Sequence, residues 1–188
     1  MSVEPRDYFL QRDLRYVFSY TVELRMSRQE IGLVPGGVRV NILASGGEVY
    51  QVLNERAPWA EGNIRGKILP GGTDWAFLRD DDVGVTDVRL AFRTTDGAYI
   101  ESHYKGLFPL GPGGYRELLR EFDSRGEPVD LLGTEDKPFN VRLFVTPAFQ
   151  TSHPRYQWLN KLQCVGYGQV KIVRGEAREV TIDVYAMG

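Results

Sequence analysis

The sequence predicts an all-β fold, an antiparallel β-barrel of about ten strands with one short helix, and three observations carry that expectation. Residues 14–24 alternate strictly, with Leu14, Tyr16, Phe18, Tyr20, Val22 and Leu24 on one side and Arg15, Val17, Ser19, Thr21 and Glu23 on the other. That is the period of a strand with one buried face. Asp96-Gly97 separates two runs rich in β-branched and aromatic residues, 85–95 and 98–106, which is the signal for a two-residue hairpin loop. Gly- and Pro-containing corners recur between short apolar runs along the rest of the chain, and helical spacing occurs once. A sandwich would hold the same strands, but a closed barrel leaves no sheet edge, and barrels of this strand number can enclose a small ligand.

In chain order, residues 1–12 are polar and read as a loose terminus of a single domain. After the strand at 14–24, Pro35-Gly36-Gly37 turns the chain into a second strand at 38–44. Ser45-Gly46-Gly47 turns it again into a third at 48–53, so the first three strands form a meander. Residues 54–61 read as a loop containing Pro58-Trp59, and 62–69 as a strand. Pro70-Gly71-Gly72 makes a corner, because proline sets φ and each glycine opens conformations closed to other residues. A strand at 73–78 leads into the hairpin. Gly111-Pro112-Gly113-Gly114 then breaks the chain, and Tyr115, Leu118, Leu119 and Phe122 recur at helical spacing, which predicts an amphipathic helix over 115–122 that caps an open end of the sheet. Residues 126–138 are polar loop, 139–146 a strand, and 151–161 a connection of irregular chain. The last strands, 162–173 and 179–186, meet at a turn at Arg174-Gly175.

A two-residue loop places Thr95 opposite Ala98 and sets the pairing of the whole hairpin. One side then carries Leu90, Phe92, Tyr99, Glu101 and His103, and the other Asp87, Arg89, Arg93, Ile100, Ser102 and Tyr104. Both sides mix polar with apolar residues, whereas a half-buried sheet has one dry and one wet face. The expectation is a polar group held in a cavity on at least one side, with two solvated edges as the alternative.

Composition removes several partners. With 23 basic and 25 acidic residues and a formal charge of −2, the chain has no electrostatic footprint for nucleic acid or an anionic membrane surface, and neither is expected. The chain is long enough for a sizeable core without disulfides or metal. A single cysteine, Cys164, excludes an internal disulfide framework and points to a reducing compartment. No secretory h-region is visible, and no apolar run approaches the roughly 18–20 residues that span a bilayer, so a cytoplasmic protein is expected.

The motifs for whole reaction classes are missing. A zinc site would have to be assembled from His103, His153 and distant carboxylates, since no helical pair of histidines or Cys-x-x-Cys is present. The Gly-Gly pairs open no helix followed by Lys-Ser or Lys-Thr, so they cradle no phosphate, and no serine sits in a nucleophile elbow. Cys164, within a strand beside Val165, reads as a buried inert thiol. No metal and no cofactor are expected. What remains is a set of polar and aromatic residues. Asp74, before Trp75 and just past the glycine corner, is either a turn carboxylate capping backbone N–H groups or a pocket residue. Glu101 and His103, two apart on one strand face, suit a carboxylate-oriented imidazole for proton transfer, or a solvated outer face. Arg89 and Tyr104 face one another in the expected register and would bind a carboxylate, phenolate or enolate oxygen. Tyr156, Trp158, Asn160 and Lys161 crowd into six residues of irregular chain; packing explains the aromatics equally well, and Asn160 can serve to satisfy buried backbone groups.

Taken together, Lys67-Ile68-Leu69-Pro70-Gly71-Gly72-Thr73-Asp74-Trp75, Asp87-Val88-Arg89, Thr95-Asp96-Gly97-Ala98 with Ile100, Tyr156-Gln157-Trp158-Leu159-Asn160 and Val165-Gly166-Tyr167-Gly168 resemble the domain-of-unknown-function 3237 family, in order from about residue 14 to the C-terminus. The resemblance implies a compact antiparallel β-barrel, usually a homo-oligomer, with a pocket near these motifs. It implies little about reaction, although some members in natural-product pathways act as cofactor-free cyclases that add a hydroxyl across an activated double bond. The segment 111–137, with its helix, is longer than the family's usual connection.

Two functions are therefore expected. One is a cofactor-independent enzyme acting by proton transfer (cyclisation, isomerisation or elimination) on a small, oxygenated, partly aromatic metabolite. Asp74 or Glu101, the latter with His103, would be its base, and Arg89 with Tyr104 its oxyanion support. Lys67, Trp75, Tyr156, Trp158 and Asn160 would bind the ligand, all in one cavity. The alternative is a non-catalytic binding or carrier barrel. A carboxylate inside the cavity without a permanent cationic partner distinguishes the two, because a base needs an adjustable pKa and a carrier does not.

Overall fold

In the computed structural model the described residues are 14–50, 64–116, 119, 139–173 and 176–187. Nine strands cover most of them: β1 (Leu14–Val34), β2 (Gly37–Tyr50), β3 (Gly66–Ile68), β4 (Thr73–Arg79), β5 (Val83–Thr94), β6 (Tyr99–Pro109), β7 (Phe139–Gln150), β8 (Cys164–Val173) and β9 (Glu176–Met187), with a 3-10 helix, η1 (Pro154–Lys161), in the connection after β7. The order is β1-β9-β8-β7-β6-β5-β3-β2-β4, with β1 also paired to β2 and β5 to β4. All pairs are antiparallel and the sheet closes on itself. Both β3 and β4 lie between β2 and β5. They are two halves of one stave interrupted at Pro70-Gly71-Gly72, so the barrel has eight staves.

The interruption stays seated in the wall, because the Ala44 N–H donates to Gly72 O and the Leu69 N–H to Ala91 O, each at 2.8 Å. Gly72 is needed for space: a Cβ there would lie 2.4 Å from Leu90 Cδ2. The expected three-strand meander is instead a two-strand pair. Ser45-Gly46-Gly47 is a bend within β2, where the register with β1 shifts, and not a reversal. Gly47 has φ 137 and lies so close to β1 that a Cβ would meet Thr21 O at 2.0 Å, while Ser45, skipped where the register shifts, is the extra residue of the bulge.

The hairpin carries the main correction. Thr94 and Ala98 pair, with the Thr94 N–H donating to Ala98 O at 2.9 Å and the Gly97 N–H to Thr94 O at 3.0 Å. The Ala98 N–H turns to Thr94 Oγ1 at 2.8 Å. Thr95-Asp96-Gly97 is thus a three-residue loop that closes on a glycine at φ 91. The extra loop residue slips the register by one and pairs Val88 with Tyr104, Arg89 with His103, Leu90 with Ser102 and Phe92 with Ile100. Since side chains alternate, a slip of one reassigns the faces. Val88, Leu90, Phe92, Ile100, Ser102 and Tyr104 are all buried, and Asp87, Arg89, Arg93, Tyr99, Glu101, His103 and Lys105 face outward. The hairpin has one dry and one wet face after all, and Arg89 does not face Tyr104.

The core fills the barrel from β1 (Phe18, Tyr20, Val22), β5 (Leu90, Phe92), β6 (Ile100), β7 (Val145, Phe149) and β9 (Ile182, Val184). Phe18 packs against Phe149 and Phe92 at ring separations of 5.1 and 6.0 Å. A second cluster joins Val38, Val40, Ile42 and Leu78 to Tyr115 and Leu119. Tyr115 and Leu119 belong to the expected helix, of which Gly114–Arg116 and Leu119 are described and helical; the rest lies outside the described residues. Asp82 anchors its start, accepting the Gly113 and Tyr115 N–H groups at 2.8 and 2.9 Å. The expected terminus at 1–12, the loops at 54–61 and 126–138 and the turn at Arg174-Gly175 also lie outside the described residues. Among the described residues, no helix is long and apolar enough to cross a membrane.

Candidate functional site

Polar side chains enter the inner wall where the two apolar clusters adjoin. Ile42 on β2, Asp74 on β4, Val88 on β5 and Tyr104 on β6 form one row across the wall, so Asp74 points to the same inner side as buried Val88 and Tyr104. Within this row Ile42 packs against the second cluster and Val88 and Tyr104 belong to the main core, so Asp74 sits where the two clusters adjoin. Asp74 reaches this position because the Gly71-Gly72 corner returns the chain to the stave just before it.

The Asp74 carboxylate accepts a hydrogen bond from Thr86 Oγ1 at 2.6 Å and one from the Asp87 N–H at 3.0 Å. Both donors are neutral. Burial pushes its pKa up to about 6 from 3.8, these two bonds pull against the rise, and the nearby charge of Asp87 adds to it. A carboxyl group in this range can exchange a proton near neutral pH.

The Tyr104 phenol, which the Asp74 charge influences, has the Tyr20 and Ser102 hydroxyls as neighbours. Tyr20 and Tyr104 are both buried, with ring centroids 6.3 Å apart. Burial raises the pKa of Tyr104 well above the usual phenol value, and the neighbouring Tyr20 phenol and Asp74 carboxylate raise it further. Burial likewise raises that of Tyr20, against the influence of the Ser102 and Tyr104 hydroxyls. Both phenols therefore stay protonated and available as donors. Although Ser102 and Tyr104 lie close enough to Tyr20 to affect its acidity, neither Tyr20 Oη nor Ser102 Oγ has a partner in hydrogen-bonding geometry. Buried hydroxyls with unspent capacity are uncommon and mark a place where another polar molecule belongs.

Asp74 and Tyr104 are the two expected site residues that the structure brings into one interior layer. The others lie elsewhere. Arg89, Glu101 and His103 are on the outer face, where His103 Nε2 meets Asp87 Oδ1 at 2.9 Å and Glu101 takes no part. Lys67 is exposed on β3 and Trp75 is 53% exposed on β4. Tyr156 is buried, with its hydroxyl on both Asp96 oxygens at 2.9 and 3.0 Å, so it ties η1 to the hairpin loop. Trp158 packs partly against the core and donates Nε1–H to Arg155 O. Asn160 bonds both the N–H and the C=O of Thr151 at 2.9 Å. Among the described residues Trp75, Tyr156, Trp158 and Asn160 do not share one cavity, because Trp75 faces outward on β4 while Tyr156 on η1 is turned into the core. Glu101 and Asn160 do both border an open outer groove of about 660 Å³ between β6, β7 and the chain after η1. Cys164 is buried, and burial alone pushes its thiol up to about 11. Among the described residues, no three His, Cys, Asp or Glu side chains are grouped to hold a metal ion.

Sequence reasoning missed Tyr20, Thr86 and Ser102 as site residues. Tyr20 had a signal: it occupies the apolar side of the 14–24 alternation, and a tyrosine there takes its hydroxyl into the core. Thr86 and Ser102 had none, since a small hydroxyl on a strand is ordinary on either face.

Fold and interior define a closed antiparallel β-barrel with a polar, acid-bearing layer inside an otherwise apolar core. The chain belongs to the family described as "Protein of unknown function (DUF3237)", whose pattern it matches over residues 13–187. A UPF0311 protein from Rhodopseudomonas palustris is 35% identical over 175 residues, 92% of this chain and 95% of that one. A crystal structure of a conserved protein of unknown function from Rhodopseudomonas palustris superposes with a TM-score of 0.67 at 31% identity, covering 95% of this chain and 99% of that one. A β-barrel-like protein from Acinetobacter baumannii matches at TM-score 0.67 and 22% identity over the whole of both chains. A structure described as an enzyme from Penicillium herquei matches at TM-score 0.57 and 14% identity, again over both whole chains, and shares the fold alone.

Proposed function

We propose that this barrel is a cofactor-independent enzyme that moves a proton on a small, oxygenated, partly aromatic molecule in its interior, with Asp74 as the proton acceptor and the Tyr104 and Tyr20 phenols as donors to the oxygen that gains charge. The observation that carries this reading is the Asp74 carboxylate on the inner wall, bonded to two neutral donors and, among the described residues, to no cation. A carboxylate placed merely to hold a ligand gains nothing from so awkward a position, whereas a base needs a proton affinity that can be crossed.

In the proposed chemistry Asp74 takes a proton from a carbon beside a carbonyl, or from a hydroxyl, and becomes a neutral acid. The freed electron pair moves onto the carbonyl oxygen as an enolate, or makes a C–O bond to a conjugated alkene whose electrons pass to that oxygen. Phenol O–H groups, already desolvated, stabilise the oxyanion at little reorganisation cost. Return of the proton to another carbon is an isomerisation; loss of a β-substituent is an elimination; closure by the hydroxyl is a cyclisation.

A neutral aryl ketone series in D₂O, followed by proton NMR, tests the reading. Protein-dependent deuterium uptake beside the carbonyl is expected, reduced by about 10²–10⁴-fold in Asp74→Asn. Equal uptake in Asp74→Asn would remove Asp74 from the chemistry. Ligand-induced chemical shifts without any uptake would favour a carrier barrel, for which the unspent Tyr20 and Ser102 hydroxyls are a sufficient ligand contact.

A further inference from the structure

The outer wall carries a feature that the interior chemistry does not use. Phe77 on β4 stands opposite Val85 on β5, Val85 opposite Leu107 on β6, Leu107 opposite Phe144 on β7, and Phe144 opposite Tyr167 on β8. Side chains paired across strands point to the same face, so five apolar residues form an unbroken row. On a solvated barrel wall these positions would ordinarily be polar. Leu107, Phe144 and Tyr167 are 52%, 57% and 36% exposed, and Trp75, two residues before Phe77 on the same face, is 53% exposed. The Phe144 and Tyr167 rings meet edge to face at 5.5 Å. A contiguous apolar patch of this kind marks an interaction surface.

Unlike charges stand at the two ends. Beyond Phe77 the row continues into Arg39, whose guanidinium lies 4.7 Å over the Phe77 ring and which has no carboxylate partner among the described residues. Beyond Tyr167 it continues into Asp183, held by Ser19 Oγ. The belt thus has a cationic end and an anionic end.

The geometry points to this belt as the surface through which copies of this chain assemble head to tail, the Arg39 end of one protomer against the Asp183 end of the next. The row crosses five of eight staves, more than half of the circumference of a convex wall. One two-fold contact centred on Leu107 would touch only the middle of such a surface and leave both ends wet. Two neighbours on opposite flanks cover the whole row, which is the arrangement of a closed ring, and it also brings the unlike ends together.

Sedimentation velocity of the full chain over a wide dilution range tests this. A closed oligomer that dissociates on dilution is expected. Phe144→Glu should give monomer with an unchanged circular dichroism spectrum, and Tyr99→Glu, on the outer face but off the row, should assemble like the parent. Arg39→Glu and Asp183→Lys should each weaken assembly by about tenfold, and the two combined in one chain should restore it. Footprinting of the unaltered chain, with Leu107 and Phe144 shielded when concentrated and labelled when dilute, gives the same answer without relying on any variant's folding. A parent that is monomeric throughout, or a Phe144→Glu chain that folds and assembles normally, overturns the proposal. Single charge reversals that assemble like the parent overturn the head-to-tail arrangement.

Discussion

Val88 on β5 stands opposite Tyr104 on β6, and this pairing sorts the hairpin into side chains that can meet a ligand inside the barrel and side chains that cannot. Arg89, one residue on, pairs with His103 in solvent. Arg89→Met is therefore expected to leave deuterium uptake unchanged and to shift stability by no more than about 0.5 kcal/mol. Tyr104→Phe keeps the ring and removes the donor, and the loss of one oxyanion donor lowers turnover by about 10²–10³-fold. A loss of uptake in Arg89→Met with full uptake in Tyr104→Phe would reverse the assignment of faces.

Asp74 prefers its neutral form in the folded chain, with a pKa of about 6 against 3.8. Between those values the native chain keeps a proton that the unfolded chain has released, so this residue's contribution to stability falls as pH rises through the window and stays low above it. Asn carries no such charge. Its oxygen can keep the Asp87 N–H, and the Thr86 hydroxyl can turn to accept from the amide. Asp74→Asn is expected to be more stable than the parent at pH 8 by roughly 1–3 kcal/mol, with the difference fading below about pH 4. Thermal melts across that range check it; a variant less stable at pH 8 would mean that the carboxylate is not held at a desolvation cost.

The tie between η1 and the hairpin loop is also measurable. Tyr156 donates to both oxygens of Asp96, and Asp96 also takes Thr94 Oγ1 and Arg155. Tyr156→Phe should cost about 1 kcal/mol, and the cost should disappear when Asp96 is already Ala. Additive costs in that double-mutant cycle would show that the two residues do not act together.

Close packing at β8 makes a fourth prediction. A Cβ at Gly166 would lie 2.5 Å from Val145 Cγ2 and 3.0 Å from Ile182 Cγ2. Gly166→Ala should destabilise by about 1–3 kcal/mol, and Val145→Ala in the same chain should recover part of the loss, as read from denaturant midpoints. No recovery would place the strain in the backbone.

Much of the architecture was legible in the sequence because strand character is a local property. The 14–24 alternation shows which side of β1 enters the core from Phe18 onward, where Phe18, Tyr20 and Val22 are buried as it requires; a register shift between Tyr16 and Phe18 breaks it earlier, so that Val17 is buried and Leu14 is 56% exposed. Turn residues mark where the chain can bend, though not whether it reverses: Gly36-Gly37 turns the chain, while Gly46-Gly47 lets β2 approach β1 and continue. Both stretches look alike in sequence, since glycine permits a turn and a close approach for the same lack of a Cβ.

By itself, then, the sequence determined an antiparallel all-β chain with Asp74 set just beyond a glycine corner, through periodicity and turn chemistry that act over a few residues. Only the tertiary structure decided what faces what. Asp96-Gly97 serves a two-residue loop as well as a three-residue one, and the choice rests on Thr94 Oγ1 capturing the Ala98 N–H. With a side-chain period of two, that one hydrogen bond moved Arg89 out of the site and left Tyr104 inside it. Asp74 comes beside Tyr104, and Tyr104 beside Tyr20, because three strands distant in sequence align within one closed wall, and such alignment is set by hydrogen bonds between segments, which no segment carries alone.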